Sequence, residues 1–162
     1  MTAPVSERQV ALRSVSGFLA YGFGSGLAPW APGTFGTLAA VPFALLLKQL
    51  ALPVYGAALV ALFVLGVAVC SRASERLGRH DPGGIVWDEM VGYWLTITLL
   101  PLNGAWLAAA FVAFRFFDIL KPWPIRAVEK RFGGGFGIML DDIVAALYAL
   151  LVLQLASMLL NA

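Results

Sequence analysis

The stretch GIMLDDIVAALYALLVLQLASMLL, residues 137–160, places Asp141 and Asp142 directly before 18 residues that carry no charge. A helix needs about 20 apolar residues to span the roughly 30 Å hydrocarbon core of a bilayer. Ionisable groups at membrane depth are rare unless they are paired or functional. The stretch therefore predicts a membrane helix and marks the two aspartates in front of it as candidate functional residues.

Composition extends this prediction to the whole chain. Of its 162 residues, 60% are hydrophobic and only 12% are charged, and the mean hydropathy is +0.86. A soluble domain typically carries about 25% charged residues, so we expect residues 1–162 to form one bilayer-embedded domain. The single cysteine, Cys70, excludes a disulfide framework and a multi-cysteine metal site. The net charge of +2, without a basic tail, gives no indication of a nucleic-acid partner.

Five apolar stretches predict an all-α fold, a small multi-pass membrane bundle of about five helices. They cover residues 37–50, 54–70, 90–100, 105–117 and 143–160. Only the second and fifth approach a full span, so the others must borrow flanking residues or cross incompletely. The longer connections, residues 71–85 and 118–136, hold most of the basic side chains. The positive-inside rule places these loops and the N-terminus in the cytoplasm, with five crossings and the C-terminus outside.

In this topology five acidic residues reach the cytoplasmic end of a span. Asp88 and Glu89 precede the third span, Asp118 ends the fourth, and Asp141 and Asp142 precede the fifth. The helix dipole stabilises an acid in a first turn by about 0.3–1 kcal/mol, but it explains neither Asp118 near a C-terminus nor the two doublets. Mg²⁺ commonly binds a few carboxylates together with substrate phosphate oxygens. A Mg²⁺ cluster at the cytoplasmic interface is the leading hypothesis, with these five acids as its catalytic and metal-binding residues.

The glycine-rich segment GFGSGLAPWAPGTFGT, residues 22–37, carries candidate phosphate-binding residues just before the first span. These are Ser25, Gly33 and Thr34. Either Thr34 or Thr37 can cap the following helix, and Gly33 and Gly36 let the backbone approach an anion at the helix N-terminus. A purely structural turn with an ordinary cap is an equally weighted alternative.

The segment RFFDILKPWPIR, residues 115–126, is the basic counterpart. Pro122 disfavours helical geometry at Lys121, so we expect the fourth helix to end just after Asp118 and an extended segment to follow. Lys121 and Arg126 would then lie near Asp118, where basic side chains neutralise phosphate oxygens. Contact of the same side chains with anionic lipid headgroups is the alternative, and both roles can coexist.

Other features of the sequence suggest two alternative functions. Cys70 and Arg76 have the C-x5-R spacing of cysteine-dependent phosphatases, but no histidine precedes the cysteine and no glycine opens the loop. A small cation transporter or channel subunit would also use intramembrane acids. A conduction path predicts acids near midspan, whereas the five acids here lie at one end of their spans, so both functions rank below the metal site.

The quoted clusters also resemble a known family. GFGSGLAPWAPGTFGTLAAVP, HDPGGIVWDEMVGYWLT, and FRFFDILKPWPIRAVEK running into GGGFGIMLDDIVAALYA are similar to the phosphatidylglycerophosphatase A family of bacterial inner-membrane enzymes. The resemblance covers residues 17–148. It implies a Mg²⁺-dependent phosphatase that converts the membrane lipid phosphatidylglycerophosphate into phosphatidylglycerol, with the five acids above as its acidic positions. Attack by water activated at the metal is expected rather than an aspartyl-phosphate, because no DxDx signature is present.

Overall fold

The computed structural model describes residues 5–160, apart from the side chains of residues 129 and 130. The two ends of the predicted domain, residues 1–4 and 161–162, lie outside the described residues. The regular elements of the described part are helical, without a strand, which confirms the all-α prediction. The α-helices are α1 (Glu7–Arg13), α2 (Val15–Ala20), α3 (Pro32–Leu47), α4 (Leu52–Leu77), α5 (Trp87–Thr96), α6 (Gly104–Leu120), α7 (Ile125–Arg131) and α8 (Gly134–Leu160), and a 3-10 segment spans Gly22–Leu27.

Helices α3, α4, α5, α6 and α8 correspond to the five apolar stretches. Among residues 5–160, α4 with 26 residues and α8 with 27 are long and apolar enough to cross a membrane, by length and composition. Helices α3 and α6 are shorter, with 16 and 17 residues. Helix α5 has 10 residues, or about 15 Å at 1.5 Å per residue, half of a bilayer core. The structure thus gives two candidate spanning helices with three shorter ones beside them.

Helix α8 begins earlier than the sequence predicts. We expected Asp141 and Asp142 to precede the last helix, but α8 starts at Gly134 and contains both. The glycine run is helical because it packs onto α4, where the backbone N–H of Gly135 donates to Ser71 Oγ at 2.9 Å. The two aspartates therefore lie about two turns inside α8, beyond the first turn in which the helix dipole acts most strongly.

Helix α6 ends close to the predicted position. It stops at Leu120, and Lys121 takes a left-handed φ of 44° before Pro122. The next residues do not continue as an extended segment, because α7 starts at Ile125 after a short turn. The Tyr148 hydroxyl of α8 donates to the Trp123 carbonyl at 3.0 Å, which fixes this turn against α8.

Helix α8 is the centre of the packing and contacts α4, α5, α6 and α7. The side chains of Ala145, Ala146 and Ala149 are fully buried on it, which lets neighbouring helices approach closely. At Gly92 of α5, an added Cβ would lie 2.6 Å from the Phe114 ring of α6 and 3.3 Å from the Asp142 carbonyl oxygen of α8. The absence of a side chain at this position lets α5 pack against α8 at the level of Asp142.

Hydrogen bonds to α3 and α4 hold the short helix α5 in place. The Trp87 indole donates to the Leu62 carbonyl of α4 at 3.1 Å, and the Trp94 indole donates to the Ala40 carbonyl of α3 at 2.9 Å. The Tyr55 hydroxyl of α4 donates to the Trp94 carbonyl at 2.5 Å. These contacts fix the rotation of α5 and hence the direction of its first turn.

Lys48, at the end of α3, caps the other end of α5. Its Nζ lies 3.3, 3.1 and 2.9 Å from the carbonyl oxygens of Ile97, Thr98 and Leu100. These carbonyls belong to the turn that follows the last residue of α5, Thr96, where the helix dipole also favours a cation. Lys48 thus satisfies the polar backbone where α5 ends inside the bundle.

Candidate active site

Five carboxylates from three helices converge at one place, as the sequence predicts. Helix α5 contributes Asp88 and Glu89 from its first turn, α6 contributes Asp118, and α8 contributes Asp141 and Asp142. The four aspartates are buried, and Asp142 is only 3% exposed. Packing of α8 against α5 and α6 brings together acids that lie about fifty residues apart in the chain.

The centre of this carboxylate group is formed by Asp88, Glu89 and Asp142. One oxygen from each lies within 4.8 Å of the other two. Asp118 is within hydrogen-bond reach of Asp142, and Asp141 lies close to both. Ionised carboxylates at such distances repel one another, so the arrangement needs positive charge from elsewhere.

Two basic side chains supply part of that charge. Arg115 Nη1 donates to Asp118 Oδ2 one turn along α6, and it lies 3.6 Å from Glu89 Oε1. Lys121 Nζ donates to Asp141 Oδ2 at 2.6 Å. Both side chains are largely buried, Arg115 14% and Lys121 22% exposed. The site therefore combines five acids with two cations in a partly dry environment.

Several carboxylate oxygens are buried without a hydrogen-bond partner in the part of the chain that the structure describes. They are Oδ1 of Asp88, Oε2 of Glu89, Oδ1 of Asp141 and Oδ2 of Asp142. Buried polar atoms are nearly always satisfied in proteins, and carboxylate oxygens are the ligands that Mg²⁺ and related hard cations prefer. The donor set, its burial and its unsatisfied oxygens fit a divalent cation.

The start of α3 reaches the same site. An added Cβ on Gly33 would collide with Glu89 Oε1 and lie 2.9 Å from Arg115 Nη1. The helix begins with Pro32, and its cap position is Ala31 without a side-chain hydrogen bond. Thr34 is therefore the third residue of α3, and the expectation that it caps the helix is wrong, because Pro32 already fixes helical geometry one residue before Gly33.

Ser25 and Arg126 form their hydrogen bonds elsewhere. Ser25 Oγ donates to the Gly22 carbonyl at 2.8 Å within its own 3-10 segment. Arg126 is exposed, and its Nη2 donates to the Leu120 carbonyl at 3.1 Å, at the end of α6. Neither bonds to an acid of the site within residues 5–160, so their role in phosphate binding stays a prediction.

Arg115 is the site residue that the sequence reasoning missed. Arg115 lies between Phe114 and Phe116, in an apolar run that is typical of a membrane-facing helix. The available signal was the spacing, because residues three apart on a helix are neighbours and an arginine inside an apolar helix requires a partner. Asp118 is that partner.

The geometry disfavours the cysteine-dependent site. Cys70 and Arg76 both lie within the continuous helix α4, so no loop between them can wrap a phosphate. Cys70 is fully buried, whereas Arg76 is exposed. The two residues do not share a surface that a substrate can reach.

The fold and site define a class: an apolar helical protein with a buried carboxylate centre suited to a divalent cation. The model of the family described as Phosphatidylglycerophosphatase A matches residues 18–157. The chain belongs to this phosphatidylglycerophosphatase A family, which confirms the resemblance drawn from the motifs.

Individual relatives agree with this assignment. The chain is 49% identical to phosphatidylglycerophosphatase A of Escherichia coli over 78% of this chain and 74% of the relative. It is 43% identical to the protein of the same name from Haemophilus influenzae over 94% of each chain. A Bacteroides thetaiotaomicron protein, 41% identical over 83% of this chain and 89% of its own length, has the provisional name phosphatidylinositol-3-phosphatase. No solved structure matched the chain, and the matches give no support to a cation transporter.

Proposed function

We propose that the protein is a Mg²⁺-dependent lipid phosphatase that hydrolyses the terminal phosphomonoester of phosphatidylglycerophosphate, releasing phosphatidylglycerol and phosphate. Family membership and the names of the relatives support the reaction. The observation that carries the mechanism is the group of buried, unpartnered carboxylate oxygens beside Arg115 and Lys121. Such a site offers ligands to a cation and donors to a phosphate in one place.

The acids would hold the metal. Asp88, Glu89 and Asp142 are close enough to share one ion, and Asp118 and Asp141 lie beside them, within reach of the same or a second ion. Bound Mg²⁺ supplies positive charge that polarises the phosphoryl oxygens and activates water. Five carboxylates beside two basic side chains leave negative charge to be neutralised, which favours a divalent over a monovalent cation.

Arg115 and Lys121 would hold the phosphate. Arg115 Nε is buried without a hydrogen-bond partner, so this donor is available to a phosphate oxygen, and a guanidinium is suited to binding phosphate in a fork. The start of α3 at Gly33 and Thr34 adds the positive end of a helix dipole beside Arg115. Ser25 and Arg126 remain further candidates, although joining the site requires them to leave their present carbonyl partners.

Hydrolysis by water accounts for the reaction. Water attacks phosphorus while an unpartnered carboxylate oxygen such as Asp142 Oδ2 accepts a proton from it. The bond between phosphorus and the lipid oxygen breaks, and that oxygen takes up a proton to become the hydroxyl of phosphatidylglycerol. Trapping a phosphorylated Asp142 with labelled substrate would instead establish an aspartyl-phosphate.

For the membrane we propose that residues 1–162 form one inner-membrane domain, that α3, α4, α5, α6 and α8 provide five passes, and that the acids face the cytoplasm. The two long apolar helices and the basic residues in the loops on the acidic side support this topology. The bilayer and the lipid substrate are then the partners of the chain.

Phosphate release from phosphatidylglycerophosphate by the purified protein in detergent tests the proposal. We expect turnover that EDTA abolishes and that added Mg²⁺ restores. Turnover that resists EDTA and is lost in Cys70→Ser would contradict the metal site. Absence of phosphate release together with ion flux in liposomes would contradict the phosphatase.

A further inference from the structure

We infer that a groove between α3, α5 and α6 binds one acyl chain of the lipid substrate, an inference that rests on the proposed function. The groove has a volume of about 400 Å³. Leu38 and Val41 of α3 form one wall, Leu107 and Phe111 of α6 form the other, and Tyr93 of α5 lies between them. This acyl groove is the surface defined by these five residues.

The acyl groove continues from the site along the same three helices. Residues four apart share a helix face, and two such pairs connect the site to the groove: Glu89 and Tyr93 on α5, and Arg115 and Phe111 on α6. On α3, Leu38 follows Gly33 by five residues. Because Gly33, Glu89 and Arg115 are in direct proximity, a lipid in the groove would have its phosphate at the proposed phosphate position.

The chemistry of the acyl groove suits a hydrocarbon chain. Tyr93 is fully buried, and its hydroxyl donates to the Leu107 carbonyl at 3.1 Å, so the polar group is already satisfied and the ring faces the groove. Leu38 at 56% exposure and Val112 at 66% exposure leave the groove open sideways. A lipid can thus enter from the bilayer with its headgroup at the acids.

The acyl groove is long enough for a substantial part of an acyl chain. Gly104 lines its far end, and Arg115 lies 11 residues further along α6, a distance of about 16 Å at 1.5 Å per residue. A chain in this groove would follow α6 over this length while its phosphate remains at Arg115.

Two other apolar grooves lie elsewhere on the described part of the bundle. One is lined by Leu59 and Phe63 of α4 together with residues of α5 and α8. The other lies between α6 and α8 and includes Phe117, whose ring packs on that of Tyr148 with centroids 5.4 Å apart. Their lining residues serve as controls.

A substitution that fills the acyl groove tests the inference, because it should impair the reaction of long-chain substrates more than that of short-chain substrates. Leu38→Trp should lower the ratio of kcat/KM for dioleoyl over dibutanoyl phosphatidylglycerophosphate by about tenfold, equivalent to losing the burial of roughly two methylenes. The control is Val60→Trp, an aliphatic position on the α4 groove that is 66% exposed, against 56% for Leu38, and it should leave the ratio unchanged. An equal loss for both substrates in Leu38→Trp, or the same ratio change in Val60→Trp, overturns the inference.

Photo-crosslinking of the wild type in EDTA reports on the acyl groove independently of turnover. Phosphatidylglycerophosphate with a diazirine midway along one acyl chain should label peptides of α3 and α6 around residues 38–41 and 107–112. Labelling centred on α4 and α8, or spread over the lipid-facing helices, contradicts the inference. If the wild type releases no phosphate from this lipid in the presence of Mg²⁺ but labels α3 and α6 in EDTA, the proposed function fails while the acyl groove stands.

Discussion

Asp142 shows how the site depends on its surroundings. Its side chain is 3% exposed, one of its oxygens has no hydrogen-bond partner, and its neighbours include Glu89 and Asp118. An ionised carboxylate in such a place is destabilising unless a cation compensates it. The metal-free protein is therefore strained at this residue, and metal binding should relieve the strain.

Asp142→Asn should impair the site while leaving the fold intact. We expect turnover to fall at least about a hundredfold, because a metal ligand and a proton acceptor are lost. In EDTA the melting temperature should stay the same or rise, because one of several repelling charges is removed. The rise in melting temperature that Mg²⁺ gives the wild type should disappear. Thermal unfolding in detergent with and without Mg²⁺, with exposed Glu75→Gln as control, measures both effects; retained Mg²⁺ stabilisation in Asp142→Asn would contradict the assigned ligand.

Arg115 makes a second prediction at the level of a single side chain. Arg115→Lys keeps the charge but loses the planar fork and Nε, so kcat/KM should fall about 10–100-fold while the melting temperature stays close to that of the wild type. Arg115→Gln leaves Glu89 and Asp118 without their cation, and breaking a buried pair costs roughly 3–5 kcal/mol. Steady-state kinetics and thermal unfolding of both variants check this prediction, with Arg76→Gln at an exposed position as the control. Full activity in Arg115→Lys would contradict the proposed role of Arg115 in phosphate binding.

Among the helices, α3 connects the glycine-rich segment to the carboxylate site. Its first turn contacts Glu89 and Arg115 at Gly33, its middle lines the acyl groove, and Lys48 at its end caps α5. A single helix therefore touches both ends of α5, which carries two of the acids. A displacement of α3 should change the site even though α3 contributes no acid.

Gly33→Ala and Gly56→Ala form a matched pair for this helix-level prediction. Alanine is favoured over glycine in a helix interior by up to about 1 kcal/mol, and a Cβ at Gly56 in α4 meets nothing within 4 Å. Gly56→Ala should therefore stabilise the protein and leave activity intact. A Cβ at Gly33 collides with the Glu89 carboxylate, so Gly33→Ala should lose most activity and gain no stability. Equal behaviour of the two variants in unfolding and turnover would show that α3 does not approach the site closely.

Much of the site can be predicted from local pattern, because charge in an apolar chain is rare enough to identify the acids and Lys121. Two features could be recognised only from the packing of the helices in the structure. The start of α8 was misplaced since glycines such as Gly135 read as a turn, whereas contact with α4 makes them helical. The role of Arg115 is not evident from the sequence, because one of its two partners, Glu89, is distant in sequence and lies on another helix.

At the scale of the whole molecule, the lengths of α4 and α8 support the proposal that the acids lie at one boundary of the hydrocarbon. From Asp142 to Leu160 in α8 is 18 residues, or about 27 Å, and Leu52 to Cys70 in α4 gives the same length. Cys70 lies close to Glu89 and Asp142, so both long helices measure nearly a full bilayer core from the level of the acids. Helix α5 is shorter, and Lys48 binds the carbonyls of the turn that follows it.

Thiol labelling can test which side of the membrane holds the acids. Leu102 in the α5–α6 connection is 43% exposed, and His80, which lies near Gly133 before α8, is exposed on the acidic side. Wild-type Cys70 is fully buried, so it should give no background. In intact cells a membrane-impermeant maleimide should label Leu102→Cys but not His80→Cys, and both should react after the membrane is disrupted. Labelling of His80→Cys in intact cells would place the acids outside, and protection of both would mean that the α5–α6 hairpin re-enters the bilayer without crossing it.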